Sequence, residues 1–183
     1  MESTDRIGED LEYVRGVVAR TRGGAAPRSI WYLWAAISFV GLAMTDFAPE
    51  RVGIFWLVAG PAGFVASMAL GWRSSRAAGV ESRRDADAHM LHWGGMMLAI
   101  FLLVPLAATG PLSGPAMGQA VLVIVALGYF LAGVHMARPF MWVAPLVAAG
   151  YGLTFLLDQW AWTIAGALVA LGLVVTARVS ARA

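Results

Sequence analysis

The sequence predicts an all-α, polytopic membrane protein: six transmembrane helices in three hairpins, preceded by an amphipathic helix on the cytoplasmic side. Three observations predict it. The 183 residues are 60% hydrophobic and only 13% charged, whereas roughly a quarter of a soluble domain is charged. Apolar stretches recur six times, each close to the length of a bilayer crossing. The 13 basic residues, all Arg, fall almost wholly in alternate connections.

Residues 1–29 are the expected cytoplasmic leader. Within it, 3–22 reads as a helix. Ser3 or Thr4 can cap it, Asp5, Glu9, Asp10 and Glu12 lie early, and Arg15, Arg20 and Arg22 lie late. The helix dipole favours that order. Ile7, Leu11, Val14 and Val18 are spaced 4, 3 and 4 apart, so they share one stripe. The stripe can lie on the membrane surface or on the bundle, or it can form a seam for a cytosolic partner. Gly23, Gly24 and Pro27 end the helix in a hinge. More apolar segments follow, so the first is read as an uncleaved span and not as a signal peptide.

The bundle is expected over 30–178, with a short cytoplasmic tail over 179–183. Its spans lie near 30–48, 52–72, 88–108, 117–136, 140–157 and 160–178. Each suffices for an apolar layer ~30 Å thick at ~1.5 Å per residue. The connections at Asp46–Arg51, Gly110–Ala116 and Asp158–Gln159 hold one Arg, Arg51, and the other 12 lie on the opposite side. The positive-inside bias then places both termini in the cytoplasm of a bacterium, with the spans in its inner membrane. Trp31, Trp34, Trp72, Trp93 and Trp142 fall at the cytoplasmic ends of spans, and Trp56, Trp160 and Trp162 at the outer ends. They read as two belts of membrane anchors.

In lipid, helices associate through close backbone contact at small residues. Ala59, Gly63, Ser67 and Gly71 recur at every fourth position of the second span, as do Ala144, Ala148 and Gly152 in the fifth. The second-span run is the expected interface, either within the bundle or between copies. Pro61, Pro105 and Pro145 fall inside spans and leave carbonyls for neighbours to satisfy.

Several function classes are excluded. There is no Cys, so no disulfide or thiolate metal site can form. The net charge is +2 and the basic residues are dispersed, which leaves no footprint for nucleic acid. Nucleotide-binding glycine loops and the nucleophile elbow are missing. No charged residue lies in the middle of a span, which argues against ion-coupled transport. Mid-span polarity is confined to Ser38, Ser67, Tyr129, Tyr151, Thr154 and Thr163. Asp46 and Asp158, at outer helix ends, read as solvated.

The residues with most chemical potential are His89 and His92 at the start of the third span and His135 at the end of the fourth. Antiparallel spans would bring all three to one depth. Asp85, His89 and His92, spaced 4 and 3 apart, share a helix face. Three imidazoles and a carboxylate suit zinc. The nearby Met90, Met96, Met97, Met136 and Met141 would favour copper, and His92 with His135 could bracket a haem. Clustered imidazoles would also titrate near neutrality. The plain alternative is a set of half-wet interfacial histidines. The layout resembles that of membrane hydrolases that hold zinc through three His and an Asp near the cytoplasmic face. The chain lacks their Ser-x3-His and His-x3-His pairs, so no catalytic role follows.

These readings point to a non-enzymatic accessory or interaction subunit surrounded by membrane lipid. It would form a homo-oligomer or join a larger membrane complex through the second span, and dock a partner through residues 3–22. The alternatives are a metal- or haem-binding hydrolase or redox subunit, and a passive channel for a small neutral solute lined by hydroxyls.

Overall fold

The structure is a computed structural model that describes residues 27–78, 83–112 and 114–179. The expected leader helix, with Ile7, Leu11, Val14 and Val18, lies outside the described residues, as does the tail beyond Val179. Among the described residues the chain is helical and contains no strand. Its elements are α1 (Arg28–Phe47), α2 (Pro49–Ala78), α3 (Arg83–Ala108), α4 (Gly114–His135), a 3-10 turn (Arg138–Trp142), α5 (Val143–Leu156) and α6 (Ala161–Val179). Among the described residues six helical segments are long and apolar enough to cross a membrane, the fifth combining the 3-10 turn with α5. In lipid a helix satisfies every backbone N–H and C=O within its own segment. The protein is accordingly a multi-pass membrane protein.

The helix ends have local causes. α1 stops where Ala48 leaves the helical region at φ −150° and ψ 60° and Pro49, which cannot continue a helix, opens α2. α2 runs past the expected boundary at 72 as far as Ala78. Arg, Ser and Ala there are compatible with a helix, so the loss of apolarity marks the edge of the lipid and not of the helix. Arg76 lies 3.9 Å above the Trp72 ring, one turn back. In the fifth span Pro139 is the second residue of the 3-10 turn, and Pro145 falls in the first turn of α5, where proline is tolerated. Pro61 and Pro105 lie within α2 and α3. Thr109 turns its hydroxyl back to the Pro105 carbonyl at 2.8 Å.

The most extensive packing joins the first helix to the last, α1 to α6. α6 then packs on α5, α5 on α4, α1 on α2, and α4 on α3. The neighbour order is therefore α2–α1–α6–α5–α4–α3. Glycines bring the central backbones together. A Cβ on Gly166 would lie 3.2 Å from the Phe39 carbonyl oxygen, and one on Gly150 3.2 Å from Ala165 Cα. Close approach of this kind is what binds helices in lipid. The core sits here, with Val143, Val147, Ala165, Leu173 and Ala177 all but inaccessible. α2 and α3 lie at the two ends of the order. Fully buried residues make up 39% of the span of α6 and 11% of that of α2, and the span of α3 contains none.

Candidate functional site

α3 and α4 present the histidines. His92 Nε2 lies 3.0 Å from the Gly128 carbonyl oxygen. A carbonyl only accepts, so Nε2 carries the proton and donates it. The His92 ring also meets the Trp93 ring edge-on, with centroids 4.9 Å apart. This bond sets the register of the two helices by placing His92 level with Gly128. His135, seven residues further along α4, is then displaced by about 10 Å at ~1.5 Å per residue. His89, three residues back along α3, is displaced in the same direction by about half of that. The expectation of one shared depth is corrected by this register. Among the described residues no three His, Asp or Glu side chains converge to hold a metal ion. His92 is committed to a carbonyl, and His135 is exposed at its helix end. His89, His92 and His135 are thus not gathered into one three-residue ligand set among the described residues. The side chain of Asp85 lies outside what is described.

Beside His92, four elements converge on one aromatic cluster. Trp31 of α1 stacks on Phe140 of the 3-10 turn at 4.7 Å. Trp93 of α3 meets Phe140 at 5.6 Å and Tyr129 of α4 at 5.3 Å. Trp31 is 4% exposed and Trp162 9%. Both pack within the core of the bundle. Trp162 covers Gly118, where a Cβ would lie 2.7 Å from the indole. Trp34 donates from Nε1 to Ser67 Oγ at 2.9 Å, and Ser67 donates to the Gly63 carbonyl at 2.8 Å. Trp56 packs on α1 at Gly41. Trp72, Trp142 and Trp160 are exposed.

The small-residue run of α2 divides. Gly63 faces Ile37 and Trp34, and Ser67 bonds Trp34, so this part is the seam with α1 of the same chain. Ala59 is half-buried, and a Cβ on Gly71 would meet nothing within 4 Å.

At the other end of the bundle the structure uses a residue that the sequence reading left in water. Asp46 Oδ2 accepts from the Thr163 backbone N–H at 2.7 Å and from the Thr163 hydroxyl at 2.6 Å. Thr163 is the third residue of α6, so its N–H has no acceptor within the helix. A carboxylate at this end also suits the helix dipole. The cap comes from 117 residues away, and no local sequence pattern announces it. Next to it, Phe47 packs on Trp160 at 5.0 Å. Trp160 holds a left-handed φ of 61° immediately before α6. Further along, Gln119 donates to Thr154 at 3.1 Å, and Thr154 donates to the Tyr151 carbonyl at 2.7 Å. The hydroxyls of Ser67, Thr154 and Thr163 thus serve contacts between helices.

Comparison of the chain with protein-family models, with characterised proteins and with solved structures finds no match. The geometry alone carries the functional reading.

Proposed function

We propose that the protein is a non-enzymatic interaction subunit of a bacterial cytoplasmic membrane, arranged as three helical hairpins with both termini in the cytoplasm. It associates with a second copy through α3 and docks a cytosolic partner through residues 3–22. The observation that carries this is the exposure of α3, whose span contains no fully buried residue. Gly95 of α3 is exposed with nothing within 4 Å of its Cβ position, and Ala99 lies one turn on. Lipid tails are as apolar as Leu, so apolar exposure alone drives nothing, and close approach at small residues does. The interface expected on α2 moves to α3 because Gly63 and Ser67 are already occupied by α1. Polar groups committed to helix contacts favour neither metal chemistry nor a hydroxyl-lined pore. The 12-to-1 distribution of Arg supports the orientation.

The chain has no Cys, so single cysteines report contacts without background. Leu98→Cys, at a site 60% exposed, should form a disulfide-linked dimer on oxidation in native membranes. Val175→Cys on α6, 49% exposed, should not. Absence of a dimer at 98, or equal yields at both sites, would remove the association through α3. Ala183→Cys should react with an impermeant maleimide only after the membrane is opened. Labelling in intact cells would reverse the orientation.

A further inference from the structure

On the outer side of α4 and α5 lies an open apolar groove of about 600 Å³. It is lined by Ala126, Ala144 and Ala148 together with Phe130, Met141 and Trp142. The groove follows from a change in side-chain size along the helix pair. At the joint, Gly133 lets the 3-10 turn press on α4, since a Cβ there would lie 2.6 Å from Met141 N. Further in, the three alanines leave the space between the helices unfilled. A slot of this size falls in the range of small-molecule sites, ~300–1,000 Å³.

Arg138 opens the 3-10 turn that ends in Met141 and Trp142. In a 3-10 helix, residues i and i+3 eclipse. Arg138 therefore lies on the same side of the turn as Met141, one of the residues that line the groove. It is exposed, and it has no carboxylate partner among the described residues. Trp142 beside it is 74% exposed, as suits an indole at headgroup depth. An apolar slot that opens sideways, with a lone guanidinium at its end, matches the two halves of an anionic phospholipid. From Trp142 to Ala148 the slot extends about 9 Å at ~1.5 Å per residue. That length accommodates part of an acyl chain and is too short to seat a spanning helix of a second copy.

We infer that this groove binds an anionic phospholipid, with one acyl chain between α4 and α5 and the phosphate on Arg138. A guanidinium presents two parallel N–H groups to a phosphate, and it holds its charge at any physiological pH.

Native mass spectrometry of the full chain tests this. The protein is released from micelles that contain equal amounts of palmitoyl-oleoyl phosphatidylglycerol and phosphatidylcholine. The phosphatidylglycerol adduct should exceed the phosphatidylcholine adduct about fivefold, the effect of one basic residue on an anionic lipid. Arg138→Gln should bring the two adducts to parity while a lipid is still retained. Ala148→Phe, which fills the groove from its exposed side, should remove both adducts. Unchanged selectivity in Arg138→Gln would overturn the assignment of the phosphate. Equal adducts on the natural chain would overturn the site, as would full retention in a folded Ala148→Phe. Should Ala148→Phe fail to fold, Phe130→Ala takes its place. It removes one wall and should weaken retention, and undiminished retention would overturn the site. A dimer lost in Ala148→Phe would put a second copy in the groove and overturn the lipid.

Discussion

Replacing Asp46 with alanine separates a solvated carboxylate from a helix cap contributed by a distant helix. The carboxylate accepts a backbone N–H at 2.7 Å and a hydroxyl at 2.6 Å, both on the same oxygen. A hydrogen bond to a charged group contributes about 1.5–3 kcal/mol, and loss of an N-cap costs about 1 kcal/mol. Sharing one oxygen makes the two bonds less than additive, so the whole clamp should be worth about 2–3 kcal/mol. Asp46→Asn keeps a carbonyl acceptor but loses the charge at the α6 terminus, and it should fall about halfway. Thr163→Val removes the hydroxyl and leaves the N–H bond, at a cost of about 1 kcal/mol. The assay is unfolding by sodium dodecyl sulfate in mixed micelles, followed by near-ultraviolet circular dichroism. The double variant Asp46→Ala/Thr163→Val supplies the coupling energy between the two side chains. If Asp46→Ala stays within about 0.5 kcal/mol of the natural chain, as a surface substitution would, or if the coupling is zero, the clamp does not exist.

Three further outcomes follow from the same structure. Gly133→Ala drives a methyl to within 2.6 Å of the Met141 backbone, and overpacking of that kind costs about 1–3 kcal/mol. Gly152→Ala meets open space in a helix and should stabilise by about 0.5–1 kcal/mol. The same unfolding assay must give the two substitutions opposite signs. His92→Leu removes a bond between helices and should cost about 1 kcal/mol, while His92→Gln, which keeps a donor, should cost less. Zinc added to the natural chain should leave the unfolding midpoint in place, because a ligand stabilises only the state that binds it. A rise abolished by His92→Gln would restore a metal site.

The six spans were legible because crossing a bilayer is a property of one contiguous segment. Each residue from 30 to 47 contributes its own transfer free energy, and the sum can be read along the chain. The helix ends were less legible. The sequence places a boundary at 72, and α2 runs on to Ala78 because charge does not end a helix. The candidate site was legible in its residues and not in its arrangement. Trp31 and Trp142 both sit near an Arg at the edge of a span. One is 4% exposed inside an aromatic cluster, and the other is 74% exposed at the mouth of a groove. The histidines looked level until the bond from His92 to Gly128 set the register.

Composition and local order by themselves determined that the chain is helical, apolar enough to cross a membrane six times, and free of charge in mid-span. Only the tertiary structure decided that α1 meets α6, that Gly63 faces Trp34, that Asp46 caps Thr163 and that α3 holds no fully buried residue in its span. The physical reason is the solvent. Lipid rewards each apolar segment separately, and it gives no reward for pairing one with another. The choice of neighbours rests on a few glycines and hydrogen bonds whose partners are remote in sequence, and those become visible only when two surfaces are seen together.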